Sequence, residues 1–286
     1  MKTNTSSVKP HLRQALAVAM EAAEAAGAIM RKNLSRPKKV NETLAHDIKL
    51  DLDVRCQKLI ERTLLSSFPQ TSMLGEEGLA GNQSAPWRWV VDPIDGTVNF
   101  TYGIPHACVS IALQEWKGAP EALVENAVLP DSGFETVLGV VYDPFLQELW
   151  SATRGGPARV NGKKVQASDR RLLSEAMVAM GFSNYQATLP TMLPVFNQLT
   201  HKARKVRILG AAALSLAWVA GGRLDAYREY GLRLWDVAAG GLIVESAGGE
   251  FWRKLVEPPH RYEIIGSNGH LRSQIQRIEG AASGKG

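Results

Sequence analysis

The segment Trp89–Phe100 carries two aspartates, Asp92 and Asp95, at a spacing that could serve chemistry. The three apolar residues before Asp92 have the length and β-branching of a short buried strand. This strand is expected to stop at Asp92 and Pro93, because proline cannot donate a hydrogen bond to a strand ladder. A glycine and a threonine follow Asp95, a sequence typical of a tight turn that opens into a helix. The segment therefore predicts two carboxylates between the end of a strand and the start of a helix.

Carboxylates in this position suit the binding of metals and anions. Their oxygens are hard ligands for a divalent cation, and the free backbone N–H groups of a helix start can hold an anion beside it. This pairing indicates metal-assisted phosphate chemistry. The same residues also suit an ordinary capped turn, so the motif alone leaves both alternatives open.

Further acids follow apolar runs elsewhere in the chain. Glu76 and Glu77 lie between two glycines after a short apolar run, which predicts a carboxylate pair at a strand end where a ligand can approach closely. At least one of the two is expected to be a solvated turn residue. Asp236 heads an apolar helix, where it could equally act only as a cap. Glu229 is expected at the end of another strand.

Composition and charge narrow the class of protein. The 286 residues can bury a large core. The formal net charge of +5 comes from scattered basic residues, which favours small anionic substrates over nucleic acid as the primary partner. Cys56 and Cys108 are too few and too far apart for a disulfide framework or a zinc site. No signal peptide or membrane span is predicted, so we expect a soluble cytoplasmic protein.

Hydrophobic periodicity predicts a mixed α/β chain. Helices are expected at His11–Leu34, from Asp51 or Asp53 to about Ser67, and at Leu189–His201, Ala211–Ala220 and Leu234–Ser246. Strands are expected at Ala107–Glu115, Leu138–Asp143, Glu148–Thr153, Ala176–Met180, Lys205–Ile208 and Asp225–Arg228. Arg36–Asp53 is expected to be a mobile polar loop, Lys117–Thr136 a surface excursion and Asn161-Gly162 a hairpin turn. The alternation in the second half favours helices that cover a sheet.

Three motifs together carry a family resemblance. Gly75-Glu76-Glu77, Asp92-Pro93-Ile94-Asp95-Gly96-Thr97 and Trp235-Asp236 resemble the inositol monophosphatase family of magnesium-dependent, lithium-sensitive phosphatases. The resemblance covers nearly the whole chain, to about Ile278. It implies an α/β fold of layered α+β type, the αβαβα sandwich shared with fructose-bisphosphatase, usually as a homodimer. It also implies one catalytic domain over residues 1–286, with a metal-binding lobe at 11–169 and an α/β lobe at 170–278.

The resemblance also implies roles for individual residues. It implies metal ligands at Glu76, Asp92, Asp95, Asp236 and the carbonyl of Ile94, with about two or three Mg²⁺ ions as cofactor. It implies catalytic roles for Thr97, which helps to activate the attacking water, for Asp53, which orients that water, and for Glu76. It implies substrate binding by the amides of Gly96 and Thr97, which hold the phosphate, and by Asp95, Glu229 and Ala212, which meet substrate hydroxyls. A loop lysine of the family corresponds to Lys38 or Lys39.

The implied reaction is hydrolysis of a phosphate monoester without a covalent enzyme intermediate. The expected substrate is myo-inositol monophosphate, because Glu229 and the stretch Gly210-Ala211-Ala212-Ala213 match the inositol phosphatases. Histidinol phosphate and other small sugar or nucleotide phosphates are the alternatives. The connection Lys117–Thr136 is longer than is usual in the family, and it could alter either an interface or access to the site.

Two rival classes of protein are disfavoured. The haloacid dehalogenase-like phosphatases have one residue between the aspartates of their nucleophile motif, whereas two residues separate Asp92 from Asp95. A non-catalytic regulator that binds RNA or protein would not need a complete set of metal carboxylates.

Overall fold

The computed structural model describes residues 10–44, 47–119, 130–182 and 188–282. Its helices are Leu12–Asn33 (α1), Asp51–Ser67 (α2), Thr97–Thr101 (α3), Leu189–Lys202 (α4), Ala212–Ala220 (α5), Leu234–Ser246 (α6) and Arg272–Ala282 (α7). Its strands are Val40–Leu44 (β1), Asp47–Leu50 (β2), Ser72–Gly75 (β3), Gly78–Gly81 (β4), Trp87–Asp95 (β5), Cys108–Trp116 (β6), Phe134–Asp143 (β7), Glu148–Thr153 (β8), Arg159–Val160 (β9), Lys163–Lys164 (β10), Met177–Met180 (β11), Lys205–Ile208 (β12), Ala226–Arg233 (β13), Glu250–Glu257 (β14) and Arg261–Ser267 (β15).

Helices and sheets alternate as layers in the described part of the chain. α1 and α2 pack against the sheet that contains β5 to β7, and α6 packs against the same sheet through a separate apolar cluster. α5 and α6 also contact β13 and β15, so these two helices lie between the sheets. α4 and α7 cover the second sheet with a third apolar cluster. The predicted αβαβα sandwich is therefore confirmed.

The first sheet has the order β10-β9-β8-β7-β6-β5-β3-β4 and is antiparallel except where β3 pairs with β5. In that parallel pair Gly75 is the partner of Val91. Because parallel strands end on the same side of a sheet, the residues that follow, Glu76 and Asp92, emerge next to each other. Two acids 16 positions apart in sequence thus become neighbours.

The second sheet has the order β12-β11-β13-β15-β14, with β11 parallel to both of its neighbours. β13 continues five residues beyond the predicted end at Arg228, to Arg233. Glu229 therefore lies within the strand and not at its end, which corrects the prediction. The strand bends at a register shift between Tyr230 and Leu232 as it leads into α6.

The first sheet draws on residues 72–164 and the second on 177–267. The division into lobes near residue 170 falls between these ranges and stays a proposal. No helix in the described ranges combines the length and the apolar character needed to cross a membrane.

Three other predictions about elements were wrong. β5 does not stop at Asp92 and Pro93 but runs to Asp95, because the ladder is irregular between Asp92 and Asp95 and a residue in such a bulge need not donate a hydrogen bond. The polar segment 36–53 is not a loop throughout, because β1 and β2 pair as antiparallel strands there. β7 begins at Phe134, so the excursion ends earlier than predicted; residues 120–129 of it lie outside the described residues.

The hairpin prediction is confirmed at Asn161 and Gly162. Both residues have positive φ, 47° and 78°, and they join β9 to β10 in an antiparallel pair. Two successive positive φ values are what a type I′ turn requires.

Candidate active site

A glycine-flanked turn after β3 presents Glu76. The Glu76 N–H donates to the carbonyl of Val91 at 3.1 Å, which fixes the turn to the end of β5. Gln57 of α2 supports the turn from below, because its Oε1 accepts the Glu77 N–H at 2.8 Å. A Cβ on Gly75 would lie 2.4 Å from that Oε1. Glycine at this position therefore leaves the space that Gln57 fills.

The bulged end of β5 presents Asp92 and the carbonyl of Ile94. The Ile94 N–H donates to Asp92 Oδ1 at 3.0 Å, and the Thr97 hydroxyl donates to the Ile94 carbonyl at 2.8 Å. Asp92 is only 2% exposed. Short local hydrogen bonds thus fix one carboxylate, one carbonyl and one hydroxyl in a single turn.

Asp95 is held by the start of α5. The N–H groups of Ala212 and Ala213 donate to its two carboxylate oxygens at 3.0 and 2.7 Å, and the Cys108 thiol lies 3.5 Å from Oδ2. Gly96 then turns the chain into α3 with φ of 88°. Its N–H and that of Thr97 precede the first hydrogen-bonded turn of α3, which leaves them available to an anion.

Asp236 lies in the first turn of α6. Its Oδ2 accepts the backbone N–H of Arg233 at 2.7 Å, as a capping residue does. The hydroxyl of Ser110 on β6 donates to the carbonyl of Trp235 at 3.1 Å, which holds this helix start against the first sheet. Asp236 is therefore presented to the same region as Asp92.

These four acids interact strongly. The charge of Asp236 raises the pKa of Glu76, and Asp92 acts on the pKa of both, so the three carboxyl groups lie close together. The pKa values of Glu76 and Asp92 lie well above the usual carboxyl range because of burial first and the neighbouring negative charges second. Burial likewise raises the pKa of Asp95 to about 6 and that of Asp236 to about 7. The ionised acids would therefore be stabilised by added positive charge.

The donor set fits a hard divalent cation such as Mg²⁺. It consists of carboxylates and a backbone carbonyl, and none of Glu76, Asp92, Asp95 and Asp236 forms an ion pair with a basic side chain of the described residues. In the described ranges, no group of three or more acidic, histidine or cysteine side chains is already arranged to hold a metal ion.

Two further predicted residues lie in the same region. Burial raises the pKa of Glu229 to about 8, and the negative charges of Asp236 and Asp95 contribute, so Glu229 lies near both. Asp53 is close enough to raise the pKa of Glu76. Its Oδ2 also accepts the Leu50 N–H at 2.7 Å, which caps α2.

The two candidate loop lysines differ in environment. Lys38 donates to the carbonyl of Leu34, and its Nζ lies 5.0 Å from the ring centre of Phe100 in α3. Burial lowers the pKa of Lys38. Lys39 has an exposed side chain. The contact with α3 favours Lys38 as the lysine near the site.

The sequence analysis missed several residues that support the site. Asn99 Nδ2 donates to the carbonyls of His106 and Leu209, which ties α3 to the segment before α5. Gln57 and Tyr227 were also missed. Tyr227 alone had a sequence signal, because it stands two residues before Glu229 on one strand and so shares its face.

The fold is a layered α/β sandwich. Its site combines carboxylates, which suit a divalent cation, with backbone amides, which suit an anion. A model of the inositol monophosphatase family matches residues 11–258. The chain belongs to the inositol monophosphatase family.

Individual relatives agree with this assignment. The Nus factor SuhB of Pseudomonas aeruginosa is 38% identical over 242 residues, which cover 82% of this chain and 83% of that protein. Inositol monophosphatase 1 of Solanum lycopersicum is 36% identical over 245 residues, which cover 83% and 84%. The crystal structure of the extragenic suppressor protein SuhB from Bartonella henselae has a TM-score of 0.81 at 31% identity, over 93% of this chain and 98% of that one.

Proposed function

We propose that the protein is a Mg²⁺-dependent phosphate monoester hydrolase that acts on myo-inositol 1-monophosphate. The observation that carries the proposal is the convergence of Glu76, Asp92, Asp95 and Asp236 without an ion pair to a basic side chain of the described residues. The family and the relative named inositol monophosphatase 1 support the same activity. As the resemblance implies, we also propose a homodimer, and we propose the cytoplasmic location that the sequence leads us to expect.

The four acids and the Ile94 carbonyl would hold the metal ions. Bound Mg²⁺ supplies charge neutralisation for the phosphate and a lower pKa for water. The Thr97 hydroxyl directs its proton to the Ile94 carbonyl, so its oxygen lone pairs remain to accept a hydrogen bond from the attacking water. The amides of Gly96 and Thr97 bind the phosphate, while Glu229 and the Ala212 backbone meet the hydroxyls of the alcohol.

Phosphate release tests the proposal. We expect the purified protein to release phosphate from inositol 1-monophosphate with Mg²⁺, less in the presence of Li⁺, and more slowly from histidinol phosphate or a nucleotide 3′-phosphate. Asp236→Asn should lower the rate by at least about a hundredfold, because it removes a ligand charge. Asp169→Asn, an exposed acid, is the matched control. No release from any substrate with Mg²⁺ would refute the proposal.

A second candidate is a non-catalytic role as a Nus factor. It is favoured by the relative that bears that name. The Asp236→Asn variant separates the two functions in a strain that lacks the gene. Restored growth with the inactive variant would indicate the non-catalytic role, and failure to restore growth would indicate that turnover is needed.

A further inference from the structure

Only one of the two carboxylate oxygens of Glu229 accepts a hydrogen bond from the described residues. The residue is 6% exposed and lies within β13, near Asp95 and Asp236. Its Oε2 accepts a hydrogen bond from the Tyr227 hydroxyl, and the described residues provide no hydrogen bond to Oε1. Oε1 is not among the fully buried side-chain atoms that lack a hydrogen-bond partner, so water or a ligand can reach it. Oε1 is therefore suited to accept a hydrogen bond from a bound molecule.

Tyr227 fixes the direction of this carboxylate. Tyr227 and Glu229 point to the same face of β13 because they are two residues apart. Tyr227 is 3% exposed, so its ring is held by packing while its hydroxyl reaches Glu229. The donated hydrogen bond occupies Oε2 and leaves Oε1 for the site.

Gly181 provides the space for this carboxylate. It directly follows β11, the parallel neighbour of β13, and its N–H donates to the Arg228 carbonyl at 3.2 Å. A Cβ at this position would lie 1.6 Å from Glu229 Oε2 and 2.3 Å from Cδ. Any larger residue would therefore displace the Glu229 side chain, which can rotate away without moving the backbone.

We propose that Tyr227 and Gly181 are positioning residues that hold Glu229 Oε1 toward the site and so select phosphate esters whose alcohol carries further hydroxyl groups. The inference rests on the proposed phosphatase function. A hydroxyl of the alcohol donates to Oε1, whereas an ester without such a hydroxyl leaves Oε1 unpaired. Sites built to pair a substrate hydroxyl discriminate strongly against analogues that lack it.

The test compares two substrates, inositol 1-monophosphate and p-nitrophenyl phosphate, which has no further hydroxyl. Tyr227→Phe should raise KM for inositol 1-monophosphate about tenfold, the usual effect of one hydrogen bond, and leave kcat within about twofold. KM for p-nitrophenyl phosphate should stay within about twofold. Gly181→Ala should change the ratio of the two KM values at least as much as Tyr227→Phe does. The double variant should change this ratio no further than Gly181→Ala alone.

Matched controls remove the same atoms or add the same methyl elsewhere. Tyr142→Phe alters a buried tyrosine that packs against Gly27 of α1, and Gly280→Ala adds a Cβ in open space. Neither control should change the ratio of the KM values for the two substrates. Thermal melting checks that each variant is folded.

The outcomes separate the two proposals. If the wild type releases phosphate but Tyr227→Phe and Gly181→Ala leave the ratio of the two KM values unchanged, the positioning role is overturned and the phosphatase function stands. If both variants lower kcat equally for both substrates, their role is structural and the inference is also overturned. If the wild type hydrolyses neither ester, both proposals fall.

Discussion

Asp95 and Asp236 each serve a helix and the candidate site at once. Asp95 accepts two N–H groups of α5, and Asp236 accepts the N–H of Arg233 ahead of α6. An ionised carboxylate has about four lone-pair positions, so the single capping bond of Asp236 leaves positions for a cation. The two alternatives that the sequence left open for Asp236, a cap and a ligand, are therefore compatible. Capping also fixes the carboxylate before any ligand binds.

The raised pKa values predict how the metal-free protein responds to pH. Asp95 and Asp236 bind protons more tightly in the folded than in the unfolded state, with pKa values of about 6 and about 7. Their contribution to stability is full below the ordinary carboxyl pKa and is lost as pH rises through these values. We expect the melting temperature of the metal-free protein to fall by about 5 °C or more between about pH 5 and about pH 8.

Mg²⁺ should reverse this loss, so its stabilising effect should be larger at the higher pH. Asp236→Asn should raise the metal-free melting temperature at about pH 8, because it removes one repelling charge, and should reduce the response to Mg²⁺. Calorimetry with and without a chelator measures both effects. An equal Mg²⁺ effect at both pH values would contradict the assignment of these acids.

At the scale of elements, the position of α6 depends on a glycine in β7. A Cβ on Gly139 would lie 2.7 Å from the carbonyl oxygen and 3.0 Å from the Cα of Ala239. Both atoms belong to the α6 backbone, so the helix itself would have to move. We expect Gly139→Ala to lower the free energy of unfolding by about 1–3 kcal/mol, as overpacking does, and to raise the Mg²⁺ concentration for half-maximal stabilisation because Asp236 moves with α6.

Val140→Ala is a control on the same strand. Val140 points to the opposite face, into the core beneath α1, where truncation leaves a cavity. It should lower stability and leave the Mg²⁺ dependence unchanged. Chemical denaturation and Mg²⁺ titration of both variants measure the difference. If the two variants changed the Mg²⁺ dependence alike, close packing of β7 on α6 would not position Asp236.

The sequence predicted elements best where apolar residues recur regularly. β8, β12 and α6 have the predicted bounds, Glu148–Thr153, Lys205–Ile208 and Leu234–Ser246. The predictions failed where a local irregularity of the backbone determines where a strand ends. Pro93 was taken to end β5 because the bulge that accommodates it depends on the partner strand β6. The polar strands β1 and β2 were missed because their sequence lacks a clear apolar alternation.

At the scale of the whole molecule, a buried polar network joins the two sheets. Arg88 of the first sheet donates to Asp131 at 2.6 Å, and Asp131 also accepts the Tyr262 hydroxyl of the second sheet at 2.6 Å. His260 lies 2.7 Å from the same carboxylate and contacts the ring of Trp235, next to Asp236. Its members are far apart in sequence and none belongs to a motif, so sequence patterns could not reveal it.

The site was more predictable than this network for a physical reason. Glu76, Asp92 and Asp236 each follow apolar residues and lie at a turn or a helix start, so local sequence marks them. Convergence itself came from the parallel pairing of β3 with β5 and from the burial of α6 between the sheets. The prediction of that convergence came from the family resemblance, because local patterns do not show which elements meet.

The network predicts an acid-sensitive contribution to stability. Burial alone would raise the pKa of Asp131, but the hydrogen bond from His260 and the charge of Arg88 outweigh it and lower that pKa. Its contribution is therefore full above the ordinary carboxyl pKa and is lost as pH falls through the lowered value. Asp131→Asn keeps an acceptor but leaves the Arg88 charge buried and uncompensated.

We expect Asp131→Asn to lower the free energy of unfolding by roughly 3 kcal/mol near neutral pH, and the difference from the wild type to shrink in acid as the wild-type carboxylate becomes protonated. Adding Arg88→Met should recover much of the loss, because it removes the uncompensated charge. Denaturant unfolding of the four proteins of this cycle, at neutral and acidic pH, measures the coupling. If the two substitutions had additive effects at both pH values, Arg88 and Asp131 would not be coupled in stabilising the fold.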